Sequence, residues 1–62
     1  MNTQRIQEAM EKLNIGQREL ARRSGAEVSV VHRICTGETQ NPLVNNVIAL
    51  ADALNLTIDE IT

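Results

Sequence analysis

Aromatic residues are missing from this chain, since its 62 residues include no Phe, Trp or Tyr. Proteins that bind single-stranded nucleic acid or read RNA usually stack the bases on aromatic side chains. The composition therefore argues against both functions. It also requires a core built from aliphatic residues and Met, and the hydrophobic fraction of 42% is sufficient for one.

Cysteine and histidine occur once each, as Cys35 and His32. A lone cysteine cannot form an internal disulfide, and a structural zinc site usually needs four ligands of these types. The chain also has no glycine-rich phosphate loop, and no acid, base or nucleophile is placed to work with His32. The sequence therefore predicts that the protein is not an enzyme and uses no cofactor, no metal and no small-molecule ligand.

Long apolar runs are absent as well, and none approaches the roughly 20 residues that span a bilayer. The first ten residues are polar and mixed, unlike a signal peptide. A free thiol also suits a reducing compartment. We expect one cytoplasmic domain over residues 1–62 with no membrane partner. A chain this short buries only about 60% of its unfolded surface, so its stability depends on efficient apolar packing.

Basic residues are confined to the first part of the chain. All six lie before residue 38, where four acidic residues accompany them, and the remainder carries four acidic residues and no basic one. The net charge of −2 does not by itself favour a polyanionic partner. The uneven distribution nevertheless allows one that meets the first half.

Glycine and proline divide the chain into segments of helical length. Residues 3–13 have the apolar spacing of a helix, and Gly16 and Gly25 are suited to begin and end a second one. Asn41 and Pro42 are predicted to cap and open a later helix. The sequence TIDE, from Thr57 to Glu60, fits the capping box of a final short turn.

Residues 28–36 allow more than one interpretation. Val28, Val30, Ile34 and Thr36 alternate as in a β-strand, but no other segment could pair with a strand, and an unpaired strand is not stable in water. A helix between Gly25 and Gly37 is favoured, either buried or with one polar face exposed. In a helix, one face holds Val31, Ile34 and Cys35, and another holds Val28, Ser29, His32 and Arg33.

The ordered pattern from Ile15 to Gly37 reads IGQRELARRSGAEVSVVHRICTG, and NPLVNNVIALADALNLTIDEI follows it. Over residues 15–61 this pattern resembles the helix-turn-helix proteins of the phage Cro and cI repressor family, also called the XRE family. The resemblance implies an all-α fold, a compact lambda-repressor-like bundle of about five short helices, with the motif at about 16–36. It also implies that helix 28–35 enters the major groove of double-stranded DNA.

The resemblance implies that exposed residues of helix 28–35 read bases. Arg33 could bind guanine O6 and N7 together, Val28 could pack against a thymine methyl group, and Ser29 could bond a base edge or a phosphate. His32 could contact a base or a phosphate. Plainer alternatives stay open: a solvated side chain for Ser29, His32 or Arg33, a phosphate contact for Arg33, and packing of the turn for Val28.

Contacts to the phosphate backbone are expected from residues around the same motif. Gln17 and Arg18 open the first motif helix, where free N–H groups favour a phosphate. Arg22 lies on the polar face of that helix, and Thr36 and Thr39 can donate hydrogen bonds. For Arg18 and Arg22, a solvated charge is the alternative.

Departures from the family pattern bear on affinity and on the core. Glu27 stands where relatives usually carry a capping Ser or Thr, and residues 38–41 contain no Lys or Arg. Both features predict modest affinity and a shallow dependence on salt. Met10 and Cys35 replace an Arg and Glu pair of many relatives, which predicts a core role for Cys35.

The leading hypothesis is a Cro/cI-type, phage- or plasmid-type repressor of bacterial transcription that occupies an operator. A palindromic operator would be bound by a weak homodimer, with contacts through the loop after Gly37 and through the C-terminal turn, near Leu56 and Ile58. The alternative is that the same fold serves as a protein-interaction module, either an antitoxin or an adaptor, with weak or no DNA binding.

Overall fold

The computed structural model describes residues 1–62 and consists of five helices with no strand. The predicted all-α fold is thereby confirmed. None of the helices combines the length and the apolar character that crossing a bilayer requires. The helices are α1 Thr3–Leu13, α2 Gln17–Ser24, α3 Val28–Thr36, α4 Val44–Ala53 and α5 Ile58–Ile61.

Residues with left-handed backbone conformation end the first three helices. Gly25 follows α2 with φ 78° and Gly37 follows α3 with φ 82°, a conformation that glycine adopts without strain. Asn14 ends α1 in the same region, with φ 56°. The predicted cap positions of Gly16 and Gly25 are confirmed.

A single apolar cluster joins all five helices. In it α2 packs against α3 and α4, α1 packs against α3 and α5, and α4 packs against α5. No polar or charged side chain is buried, so apolar packing stabilises the bundle, as its size requires. The buried residues are Ile6, Ala9, Met10, Leu20, Ala21, Val31, Ile34, Cys35, Val47, Leu50, Ala51, Leu54 and Ile61.

Cys35 is one of these core residues, as predicted. Its Sγ lies 3.9 Å from the Sδ of Met10, so two soft sulfur atoms meet in the core between α1 and α3. Burial raises the pKa of the Cys35 thiol, which keeps it in its neutral form.

The prediction for the start of α4 was wrong. Neither Asn41 nor Pro42 belongs to the helix, which is preceded instead by Leu43 with φ −59° and ψ 143°. The Leu43 carbonyl accepts the N–H groups of Asn46 and Val47, at 2.9 and 3.1 Å. Leu43 provides no side-chain cap, so the helix start is marked by these backbone hydrogen bonds.

The two ends of the chain are fastened together through α5. The Asn2 amide donates to the Ile61 carbonyl at 2.7 Å, and Arg5 Nη2 lies 3.1 Å from Glu60 Oε2. The predicted capping box between Thr57 and Glu60 is present. Hydrogen bonds, first from the Thr57 backbone and then from Arg5, lower the pKa of the Glu60 carboxyl.

Candidate nucleic-acid interface

The turn between α2 and α3 is held by hydrogen bonds from Ser24. Its hydroxyl donates to the Ala21 carbonyl and accepts from the Ala26 amide, both at 3.2 Å. The Gly25 amide also donates to Ala21, at 2.9 Å. These bonds close the end of α2 and fix the direction in which the chain enters α3, with Glu27 as the residue before the helix.

Two faces of α3 differ sharply in exposure. Val31, Ile34 and Cys35 are buried, so the helical interpretation of this segment is confirmed. The opposite side is exposed to solvent, and we call it the reading face. It consists of Val28, Ser29, His32, Arg33 and Thr36, all of which are exposed.

A side-chain hydrogen bond connects α2 to the reading face. The Oε1 atom of Gln17 lies 2.9 Å from Nδ1 of His32. Because an amide oxygen can only accept, Nδ1 carries a proton in this arrangement and Nε2 is left available to a ligand. The sequence suggested separate DNA contacts for Gln17 and His32. In the structure they form one hydrogen-bonded pair, although they lie fifteen positions apart in the chain.

The end of α3 is tied to the loop that follows it. Thr36 Oγ1 donates to the Arg33 carbonyl at 3.2 Å and accepts from the Glu38 amide at 3.4 Å. The Thr39 amide donates to the same Arg33 carbonyl at 3.1 Å. The Thr36 hydroxyl would have to leave this bond before it could donate to a phosphate, whereas the half-buried Thr39 keeps its hydroxyl available.

Gln7 is a further positioning residue that the sequence did not reveal. Its Nε2 donates to the Cys35 carbonyl at 3.1 Å, so α1 satisfies a backbone acceptor in the last turn of α3. Gln7 also lines a groove of about 270 Å³ with Met10, Glu11, Ile15, Gln17 and Cys35. A single Gln in an amphipathic helix carries no sequence signal for such a contact.

Half of the basic side chains are engaged in ion pairs within the chain. Arg22 and Arg23 both bind Glu19, with Arg22 Nε 3.0 Å and Arg23 Nε 2.8 Å from its carboxylate oxygens, and Arg5 binds Glu60. The three cations without an ion pair are Lys12, Arg18 and Arg33. Two of these belong to the helix-turn-helix, at the start of α2 and on the reading face.

The pKa of Glu19 falls from 4.5 to about 2, because Arg22 and then Arg23 donate hydrogen bonds to its carboxylate. Because the pKa of Glu19 is lower in the folded protein than in the unfolded chain, the ion pairs of Glu19 stabilise the fold above about pH 4.5. This stabilisation is lost as the pH falls towards about 2.

We therefore expect the free energy of unfolding of Glu19→Gln to fall less steeply than that of the original chain as the pH is lowered from about 4.5 to 2. Urea unfolding at a series of pH values and low ionic strength measures this, because salt screens exposed pairs. Glu38→Gln is the matched control, since Glu38 forms no ion pair. The prediction fails if both variants keep the acid sensitivity of the original chain.

Glu27 leaves the start of α3 without a side-chain cap, as its sequence position predicted. We expect Glu27→Ser to raise the free energy of unfolding by about 0.5–1 kcal/mol, because serine can accept a backbone N–H at this position. The change also removes a negative charge beside α3, so binding to duplex DNA should strengthen. Thermal unfolding by circular dichroism and a binding titration measure the two effects. Glu8→Ser, on the exposed side of α1, should give no gain in stability.

Comparison with known protein families identifies a match for this chain. A family model described as helix-turn-helix covers residues 6–61, which includes all of α2, α3, α4 and α5 and most of α1. No curated protein and no solved structure matched the chain.

Proposed function

Since the chain belongs to the XRE-type helix-turn-helix family and is a DNA-binding regulator, we propose that it is a Cro/cI-type repressor that reads the major groove with α3. The observation that carries this proposal is the reading face, which presents five exposed side chains from a helix whose other side is buried. A helix of this diameter fits the major groove of B-form DNA.

Arg33 is the residue that we expect to contribute most to base recognition. It is exposed and forms no ion pair, so its guanidinium is free to donate two parallel hydrogen bonds to guanine. Ser29 lies one turn earlier on the same face and can reach a neighbouring base edge or phosphate. Val28 is 46% exposed, which allows its methyl groups to contact that of a thymine.

His32 and Gln17 act together in this proposal. The bond between them orients the imidazole so that Nε2 points away from α2 and can meet a base or a phosphate. Gln17 is at the same time the first residue of α2, where backbone N–H groups attract a phosphate. One phosphate contact near Gln17 and Arg18 would then fix α3 in the groove.

Few cations support this contact, which limits the electrostatic part of the affinity. Arg18 and Arg33 are the unpaired cations of the motif, and Thr39 adds a neutral donor in the following loop. Each phosphate that the protein neutralises contributes about −0.9 to the slope of the logarithm of the DNA-binding constant against the logarithm of the salt concentration. We therefore expect a shallow slope for each copy.

The proposed repressor acts by occupancy, in the bacterial cytoplasm and on the nucleoid. Two copies bind a palindromic operator with their α3 helices about 34 Å apart and exclude polymerase. The test is selection of binding sites from random duplexes. Enrichment of an inverted repeat supports the proposal, and enrichment of no sequence contradicts it.

A protein-interaction module, either an antitoxin or an adaptor, is the rival function. The acidic second half of the chain and the negative Glu27 favour it, because both suit a basic protein partner. Duplex DNA at low salt separates the two functions. A module of this kind would show no preference for duplex, whereas the proposed repressor binds duplex at low salt and its affinity falls only moderately as salt rises from about 50 to 200 mM, as its few phosphate contacts require.

A further inference from the structure

His32 is the residue of the reading face whose hydrogen-bonding role follows from the fold. In a neutral imidazole one ring nitrogen donates and the other accepts, so the partner of one nitrogen decides the role of the other. The Oε1 atom of Gln17, 2.9 Å from Nδ1, can only accept, and the proton is therefore on Nδ1. The exposed Nε2 atom of the neutral side chain is then an acceptor and cannot donate.

A carboxylate in the place of Gln17 would not have this effect. A carboxylate beside an imidazole favours the charged form, in which both ring nitrogens donate. None of the ion pairs of the chain includes His32, and its hydrogen bond goes to the neutral amide of Gln17. The partner that the fold supplies therefore suits a neutral imidazole with one bare nitrogen.

We propose that His32 reads an exocyclic amino group, the one that cytosine carries at N4 and adenine at N6. These amino groups are the donors of the major groove, whereas guanine N7 and O6 and thymine O4 are acceptors. A bare Nε2 can bond an amino group and is repelled by an acceptor. This inference rests on the proposed repressor, because it specifies which bases α3 recognises.

The phosphate contact proposed for the start of α2 reinforces this choice of base. Phosphate oxygens accept hydrogen bonds from proteins and do not donate them, so the Gln17 amide can serve a phosphate only through its Nε2 hydrogens. Its Oε1 atom then turns away from the phosphate and towards His32, which is the orientation found in the structure. The opposite orientation would leave the amide oxygen facing the phosphate.

The hydrogen bonds would then run in one direction, from base to phosphate. The base amino group donates to His32 Nε2, His32 Nδ1 donates to Gln17 Oε1, and Gln17 Nε2 donates to the phosphate. The middle bond is formed by the protein without DNA. Gln17 is therefore a positioning residue, through which the backbone contact fixes the base that His32 accepts.

Arg33 and His32 then recognise opposite features of the bases. The guanidinium of Arg33 only donates and needs the acceptors of guanine, whereas the neutral His32 needs a donor. Although they are adjacent in α3, neither residue can replace the other. The reading face can therefore distinguish a base that carries an amino group from one that carries an oxygen at the corresponding position.

The tautomer of His32 is measured by NMR without DNA. Long-range nitrogen–proton correlations distinguish the protonated ring nitrogen from the bare one, and the single histidine of the chain makes the assignment unambiguous. At about pH 8, where histidine side chains are ordinarily neutral, we expect the proton on Nδ1. Gln17→Ala should shift the tautomer equilibrium about two- to tenfold towards Nε2, as loss of one neutral hydrogen bond implies. A wild-type proton on Nε2 would overturn the inference.

The base preference is measured with duplexes that differ at one position of the selected site. This position is the one at which His32→Ala abolishes discrimination. Wild type should bind cytosine or adenine there about two- to tenfold more tightly than guanine or thymine. An analogue base with hydrogen in place of the amino group should lose the same factor. Preference for guanine or thymine would overturn the inference. So would an equal loss on every duplex in His32→Ala, which indicates a phosphate contact.

Gln17→Lys tests the coupling between the two residues. A lysine ammonium donates to Nδ1, so the imidazole proton moves to Nε2 and the preference should change towards guanine or thymine. Gln4→Lys is the matched control, because Gln4 is an exposed glutamine of α1 that adds the same charge outside the helix-turn-helix. It should leave the base preference unchanged. An unchanged preference in Gln17→Lys would overturn the positioning role of Gln17.

Failure of this inference and failure of the proposed function give different results. If selection from random duplexes enriches no sequence, the repressor proposal fails, and the base contact of His32 fails with it. If an inverted repeat is enriched but guanine or thymine is preferred at the His32 position, the repressor proposal stands and this inference alone fails. A proton on Nε2 in the NMR measurement also contradicts this inference alone.

Discussion

Replacing Arg33 by alanine is expected to weaken binding to the selected operator by about 1–3 kcal/mol, with a tenfold loss of affinity for each 1.4 kcal/mol. The expected loss is large because Arg33 is the only cation on the reading face, and no other side chain there can donate two parallel bonds to guanine. Stability should change by less than about 0.5 kcal/mol, since Arg33 is exposed and unpaired.

Fluorescence anisotropy with a labelled operator at fixed salt measures this loss. Arg33→Lys retains the charge but not the two-pronged geometry, so its specificity should also fall. Arg23→Ala is the matched control, because Arg23 is an exposed arginine of α2 already bound to Glu19. An equal loss on selected and random duplexes would assign Arg33 to a phosphate contact instead of a base.

Leu50→Ala should lower the free energy of unfolding by about 2–5 kcal/mol, the range for removal of a buried leucine side chain. A chain of this length has a total stability of about 3–9 kcal/mol, so the variant should be partly or largely unfolded at 37 °C. Leu50 is completely buried in α4, the helix that packs against α2. Removal of the Leu50 side chain would also weaken the packing of α4 against α2, which orients the helix-turn-helix.

Urea unfolding followed by far-ultraviolet circular dichroism measures the effect, since the chain has no Trp or Tyr to report by fluorescence. Ile48→Ala is the control, because Ile48 lies on the same helix but is 46% exposed. Its cost should be clearly smaller, below about 1.5 kcal/mol. Equal costs for the two variants would contradict the described core.

The sequence was most informative where local chemistry determines local structure. Gly25 and Gly37 occupy left-handed positions that end α2 and α3, and the Thr57 and Glu60 capping box forms as its spacing predicts. The helical period of α3 also predicted correctly which of its residues are buried and which are exposed. The β-branched residues of this segment favour a strand. The lack of a partner strand decided that case.

Contacts between distant segments were beyond what the sequence could predict. Nothing in the spacing of Gln17 and His32 reveals their hydrogen bond, since it depends on the angle between α2 and α3. The start of α4 was misplaced because Asn41 and Pro42 form a strong local signal for a cap, whereas the helix begins after Leu43. The pairs of Glu19 with Arg22 and Arg23 are local instead, at i,i+3 and i,i+4, and their spacing could have indicated that Arg22 is bound within the helix.

The bond between the Asn2 amide and the Ile61 carbonyl has a consequence for the order of folding. It closes a loop of nearly the whole chain, and such distant contacts form after local ones because loop closure costs entropy. The four residues of α5 are too few to be helical alone and depend on this closure. Amide protons of α5 should therefore exchange with solvent before those of α2, α3 and α4, while the reading face remains formed.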